Sequence, residues 1–301
     1  MIARLRWRGR GAGRSLTARR ARTLVRDRTA LVGAAIFVPI VAAALFAPLL
    51  APTSPTAVQM SARFQGPSWT HPLGTDELGR DLLSRLIYGA RVSLTVGALA
   101  VTIAARAGIL CGLVAAYYGG RLDAAAMRAM DGLLAFPSII LALAIIAALG
   151  PGFVDVMIAI GVVYIPVFAR ITRASVLALR STGFVEAARA AGASDAHVMW
   201  RTLLPNCLSP LLVQITVGFA NAILTEAALS FLGLGVQPPT PSWGAMLDMG
   251  RRFLTQTAWY SSSAGAAIFL TVLSLNLLGD GLRDTLDPRL HATRVAPGRG
   301  Q

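Results

Sequence analysis

Lysine is absent from this 301-residue chain, and all 28 basic residues are arginine. A Walker A phosphate loop needs its lysine, so the chain does not bind and split ATP by that route. Lysine Schiff-base chemistry and lysine general bases are excluded for the same reason. Cysteine is nearly absent. Cys111 and Cys207 lie far apart, each inside or beside an apolar run, and read as small apolar packing residues rather than a disulfide or redox pair. The three histidines, His71, His197 and His291, have no second histidine or cysteine at metal-ligand spacing, which argues against a zinc site. Charge is also scarce: 14% of the residues carry it, against roughly 25% in soluble domains.

Apolar residues make up the difference, at 55% of the chain. A soluble protein of this size would leave too much of that surface in water, so the fold class expected is an all-α integral membrane protein with six transmembrane helices. The first spans 29–51, from Thr29 to Ala51, and ends at Pro52 and Pro55. The later runs are Val92 to Tyr118, Gly132 to Leu149 with Pro137 near its start, Val156 to Ala169 with Pro166 as a kink, Cys207 to Leu232, and Ala258 to Gly279. Gly119 to Asp131 reads as a short polar turn, Gly150-Pro151-Gly152 as a tight one, and Gly233 to Thr257 as a loop. Arg106 interrupts the second run. An arginine at mid-membrane costs roughly 2.5–3.5 kcal/mol on insertion scales, so it should face the bundle interior or snorkel.

Residues 1–28 hold ten arginines and one acid, Asp27, and read as a basic cytoplasmic tail facing anionic lipid. Trp7 is the one aromatic among them, so they do not resemble a nucleic-acid-binding arm. Six spans put both termini on one side. With both termini inside, the cytoplasmic pieces carry 21 arginines and the outer loops six, which agrees with the positive-inside rule. The outer segment 52–91 contains His71-Pro72-Leu73-Gly74-Thr75-Asp76-Glu77-Leu78-Gly79-Arg80-Asp81. Thr75 is a plausible N-cap, Leu78, Leu82, Leu83, Leu86 and Ile87 share a helical face, and Asp76–Arg80 and Asp81–Arg85 have i,i+4 spacing. An amphipathic helix at the membrane surface is expected there.

The segment between the fourth and fifth spans is the most informative. It reads Phe184-Val185-Glu186-Ala187-Ala188-Arg189-Ala190-Ala191-Gly192-Ala193-Ser194-Asp195 and ends Leu203-Leu204-Pro205-Asn206. Alanine makes the first part strongly helical, Glu186 and Arg189 stand at i,i+3, and Gly192 suits the left-handed end of a helix. Ser194 can cap a second helix, whose apolar side is Val198, Met199, Leu203 and Leu204. A stiff helix pair on the cytoplasmic side is something a partner could grip; an ordinary loop on an amphipathic support is the alternative reading.

The pattern Glu-Ala-Ala, three residues, Gly and a distal Leu-Pro resembles the EAA signature of binding-protein-dependent ABC importer permeases, with Thr202 where the general pattern has isoleucine. His71 to Leu94, Leu229 to Trp243 and Leu273 to Arg289 are similar to the C-type subunit of the dipeptide/oligopeptide permease family, so the resemblance covers most of the chain beyond residue 29. It implies an ABC type I transmembrane permease domain over 92–281, followed by a cytoplasmic tail over 282–301, in the bacterial inner membrane. It implies that Glu186, Ala187, Ala188 and Gly192 form a coupling helix seated in a cytoplasmic ATPase, with Leu204 and Pro205 leading into span five. The partners it implies are a second homologous permease subunit, two ATPase subunits and an extracytoplasmic solute-binding protein. This chain would then be no enzyme and hold no cofactor, ATP and magnesium belonging to the ATPases. The solute would be a di- or oligopeptide, with nickel chelates, glutathione and opines as alternatives.

Gln214, Asn221, Glu226 and Asn276 stand inside apolar runs, where polar groups mark either a pathway or contacts between helices. Trp243 and Trp259 are expected to anchor at the outer interface, contact with a docking solute receptor being the alternative. Two rival classes are a stand-alone channel or secondary carrier and an integral-membrane enzyme; the second would need clustered His, Asp or Ser side chains at one depth, and no such cluster is found in the sequence.

Overall fold

Alanine-, leucine- and valine-rich runs without charges fold as helices because a helix satisfies every backbone N–H and C=O within its own segment. The computed structural model describes residues 27–286 and, among these, consists of helices, turns and one isolated bridge between Thr75 and Asp81. The expected basic tail up to residue 26 and the end of the chain from residue 287 lie outside the described residues. Helix α1 is Arg28–Leu45, capped by Asp27. Helix α2, Leu82–Tyr118, is 37 residues long. Then come α3, Gly120–Leu134, and α4, Ser138–Leu149. Helix α5 is Phe153–Leu179 and α6 is Gly183–Ala190. Helix α7 is Asp195–Phe231, α8 Trp243–Arg252 and α9 Ala258–Leu286. Among the described residues, five helices (α1, α2, α5, α7 and α9) are long and apolar enough to cross a membrane, and a sixth span results if α3 and α4, bent by 92°, are taken as one.

Close approaches at small residues give the helix directions. Gly33 of α1 lies on Ser274 and Leu278 of α9, and Gly281 lies on Ala30, so these two helices are antiparallel. Gly97 of α2 meets Phe219 and Ile223 of α7, and Ser93 meets Glu226, again antiparallel. By contrast, Gly161 of α5 meets Ala100 and Ile103 of α2, Gly108 meets Ile165 and Phe168, and Gly112 meets Ala169 and Thr172. The numbers rise together, so α2 and α5 run parallel. Parallel neighbours need a crossover, and α3–α4 must therefore carry the chain back across the membrane. A Cβ on Gly108 would stand 2.6 Å from the carbonyl oxygen of Ile165, so the α2–α5 contact depends on glycine there. The main core lies along this contact and includes Val96, Ala104, Ile146, Ile160 and Phe168.

Several local expectations are corrected. The amphipathic helix does not start at Thr75. Gly74 and Gly79 have φ of +79° and +70°, and the Asp76 carboxylate binds the N–H groups of Leu78 and Arg80, so 71–81 is a chain of turns. The helix begins after Asp81, which accepts from the Ser84 N–H at 2.7 Å, and α2 runs unbroken from Leu82 into span two. Arg85 pairs with Asp76 at 3.4 Å instead of with Asp81, whose partner is His71 at 3.0 Å. The region 119–131 is helix α3, not a turn, and span three is broken before Pro137, which cannot continue the preceding helix. The outer loop after residue 233 contains α8. Of the two placements expected for Arg106, the bundle interior is not adopted: the residue is exposed on α2.

Candidate functional site

Helix α6 buries one side chain fully against the bundle. Val185 is fully buried, against an apolar group that includes Val198, Met199 and Leu203, while Phe184, Glu186, Ala187, Arg189 and Ala190 are exposed. Its end is a Schellman turn: the Ala193 N–H donates to Ala188 O at 3.1 Å and the Gly192 N–H to Arg189 O at 2.9 Å, with Gly192 at φ +79°. Ser194 then caps α7, its hydroxyl accepting from the His197 N–H at 3.3 Å. One turn later, Val198–Leu203 is wound as a π-helix, and the Leu204 N–H reaches back to Met199 O. The widened turn sits just before Pro205, which has no N–H to donate and whose ring crowds the carbonyl four residues earlier; the second helix of the pair therefore continues into span five instead of stopping at Pro205. Leu204 packs against the core and Pro205 is exposed. The expected Glu186–Arg189 pair is not made: among the described residues Glu186 has no ion pair, and the Arg189 guanidinium lies 5.1 Å from the centre of the Tyr117 ring.

Charge pairs surround the base of this protrusion. Arg173 of α5 grips Asp123 of α3 with two hydrogen bonds of 2.6 and 2.7 Å, and Arg170 reaches Asp131 at 2.6 Å. Arg180 donates to the carbonyl oxygen of Ala116 at 3.1 Å. Tyr117 donates its hydroxyl proton to Asp195 Oδ1 at 2.7 Å. Tyr117 was not among the residues the sequence pointed to; the one signal was an aromatic pair, Tyr117-Tyr118, directly before the Gly119-Gly120 break.

Beside the N-terminal third of α2, Glu226 of α7 is fully buried. Its Oε2 accepts from Ser93 Oγ at 3.0 Å and its Oε1 from Ser230 Oγ at 2.8 Å. Ser93 in turn accepts from the Trp243 N–H at 3.3 Å. Trp243 is 1% exposed, and its indole N–H donates to Leu86 O at 3.0 Å, so this tryptophan is a core residue joining α8 to α2 and not an interface anchor. Trp259 is 55% exposed. Gln214 and Asn221, seven positions apart, share a face of α7 that does not include Glu226; Gln214 is half-buried, and Asn221 and, on α9, Asn276 are exposed. A buried ionic knot closes the N-terminal end of α2: Arg80 binds Asp76 at 2.6 Å and Glu77 at 2.7 Å, and Arg85 donates to Pro55 O at 3.1 Å.

The architecture is that of an ABC transporter transmembrane domain. The structure matches a chain of the MetNI methionine ABC transporter in an inward-facing conformation with a TM-score of 0.57, over 68% of this chain and 98% of that one, at 18% identity, a likeness of fold. Residues 108–292 match the binding-protein-dependent transport system inner membrane component family, and residues 15–67 match the N-terminal transmembrane domain of oligopeptide transport permease C. The chain belongs to this family of multi-pass inner-membrane permeases. It is 49% identical over 247 residues to the di/tripeptide transport system permease DppC of Pseudomonas aeruginosa, covering 80% of this chain and 82% of that one. It is 46% identical to the dipeptide permease DppC of Alkalihalophilus pseudofirmus, over 89% and 88% of the two chains. Against the glutathione permease GsiD of Pectobacterium atrosepticum the identity is 45%, over 75% of each.

Proposed function

We propose that this chain is one of two transmembrane subunits of an ATP-driven importer of di- or oligopeptides, with both termini cytoplasmic. The α6–Gly192–α7 protrusion is the observation that carries the reading. An alanine-rich helix that buries one side chain fully, is ended by a left-handed glycine and leaves most of its surface exposed has the shape of an element that seats in a partner. It lies between arginine-rich pieces, on the side that the positive-inside rule assigns to the cytoplasm. With no lysine for a phosphate loop, the work must come from elsewhere. Glu186, Ala187, Ala188 and Gly192 would meet a cytoplasmic ATPase, and Leu204 and Pro205 would pass its movement to α7. A second, homologous permease, two ATPase subunits and an outer solute-binding protein complete the assembly. Closure of the ATPases around nucleotide would rock the spans between outward- and inward-open arrangements.

The names of the relatives support peptides as the solute, and the glutathione permease makes that tripeptide analogue the second candidate. Radiolabelled dipeptide and glutathione uptake by cells carrying the whole system separates the two. For coupling, Glu186→Arg and Gly192→Pro should leave membrane insertion intact while solute uptake falls and ATP is spent without transport. Normal uptake at normal ATP consumption in both variants would overturn the assignment of this segment.

A further inference from the structure

One side chain of α2 holds both halves of the protrusion. Tyr117 sits at the inner end of α2 and is 9% exposed. Its ring takes the guanidinium of Arg189, the last charged residue of α6, at 5.1 Å. Its hydroxyl donates to Asp195, the first residue of α7, at 2.7 Å. Arg189 and Asp195 lie on either side of the Gly192 turn, and both are otherwise exposed. The Tyr118 ring packs edge-on against Tyr117 at 5.2 Å, and Arg180 caps the neighbouring Ala116 carbonyl at 3.1 Å, so the phenol has little freedom to follow a different partner.

We infer that Tyr117 is a positioning residue for coupling: it ties the angle of the α6–α7 turn to α2, so that α6 cannot move without moving α2. The inference rests on the reading of α6 as the ATPase-coupling helix. Its mechanical content comes from the length of the lever. Helix α2 has 37 residues and at about 1.5 Å each extends about 55 Å; from Tyr117 it passes the Ser93–Glu226–Trp243 contacts after about 36 Å and ends at the ionic knot. A displacement of α6 is then delivered to the outer side through a single rigid element. Without the Tyr117 bond, α6 could follow the ATPase while α2 stayed behind.

The test uses the complete transporter, with all its partner subunits, in proteoliposomes, and reads solute moved per ATP hydrolysed together with thermal stability. Tyr117→Phe keeps the ring and its stacking with Arg189 but loses the hydroxyl. It should lower the transport-to-ATP ratio roughly fivefold, the population shift that accompanies loss of one such bond, with the melting temperature little changed. Asp195→Asn keeps an acceptor oxygen and should stay near the native ratio, while Asp195→Ala should match Tyr117→Phe. The double variant Tyr117→Phe, Asp195→Ala should be no worse than either alone, as expected for two ends of one contact. An unchanged ratio in Tyr117→Phe, or additive losses in the double variant, overturns the inference. If Tyr117→Phe fails to assemble, Asp195→Ala against Asp195→Asn decides alone, since Asp195 is on the surface. Should Gly192→Pro uncouple transport while these variants do not, the inference about Tyr117 fails and the coupling assignment stands; should Gly192→Pro also transport normally, the coupling assignment itself is lost.

Discussion

Ser93 of α2 and Glu226 of α7, 133 positions apart, share a hydrogen bond of 3.0 Å at a point sealed from solvent. The carboxylate also takes the Ser230 hydroxyl, and Ser93 takes the backbone N–H of Trp243, so two spans and the short helix α8 meet on one acidic side chain. Removing the carboxylate strands both hydroxyls, at about 1–3 kcal/mol each. Glu226→Ala is therefore expected to lower the melting temperature of the purified transporter clearly and to red-shift Trp243 emission as α8 loosens. Glu226→Gln keeps one acceptor and gains a donor, which the rotatable serine hydroxyls can satisfy, and should cost less than about 1 kcal/mol. Equal losses in the two variants would show that the packing of this site, and not its hydrogen bonds, supports α8.

The ionic knot before α2 should be far more sensitive than the charge pairs on α8. Asp76 is fully buried and holds Arg80 at 2.6 Å, as well as the Leu78 and Arg80 N–H groups. Asp76→Ala leaves the buried Arg85 without its carboxylate and Arg80 with Glu77 alone, at about 3–5 kcal/mol. Asp248 pairs with Arg251 and Arg252, both more than half exposed, and Asp248→Ala should cost about 0–1 kcal/mol. Protease added from the outer side of spheroplasts reads the difference. The segment 52–81 should be cut in Asp76→Ala and survive in Asp248→Ala; equal resistance in both would show that the ionic knot is not what closes this loop.

The spans were legible because a bilayer demands long uncharged runs, and such runs are visible residue by residue. The Gly192 turn was legible for a local reason: an alanine-rich segment that stops at glycine and resumes at Ser194-Asp195 carries both cap signals in sequence order. What could not be read were the features set by partners distant in the chain. Thr75-Asp76-Glu77 has the composition of a helix start. Its conformation is set by Gly74 and Gly79 and by contacts to Ala62 and Gln65, so the cap passes to Asp81. Trp243 has the amphipathic character of an interface anchor, yet Leu86 O, 157 positions away, takes its indole N–H into the core. Tyr117 and Asp195 are 78 positions apart, and no local pattern relates them.

Parallel packing of α2 and α5 makes another prediction, about size. At Gly108 any Cβ would press on Ile165 and Phe168, whereas at Gly132 of α3 nothing lies within 4 Å. Gly108→Leu forces the two central spans apart and is expected to cost more than the roughly 1–3 kcal/mol of ordinary overpacking, because backbone rather than a side-chain tip stands in the way. Gly132→Leu should be neutral or mildly stabilising, since leucine favours the helix over glycine by up to about 1 kcal/mol. Folded yield after detergent extraction, followed by size-exclusion chromatography, checks both. Similar yields for the two would mean that α2 and α5 are not in the contact described.

Gly192 separates backbone strain from steric fit. Its φ of +79° is one that a β-carbon disfavours, yet the space around it is empty. The cost of a side chain is therefore conformational alone, about 1–2 kcal/mol for alanine and less for asparagine, which visits the left-handed region more readily. That cost should fall on the Schellman turn, so Gly192→Ala is expected to speed hydrogen exchange at the Gly192-position and Ala193 amides, whose acceptors are Arg189 O and Ala188 O. Exchange in the α2–α5 core should be untouched. Gly192→Asn should lie between alanine and the native residue in both exchange and transport. If alanine and asparagine behave alike, the turn does not hold its left-handed geometry when the partner is seated, and the requirement for glycine must then come from the partner's surface instead of from this backbone.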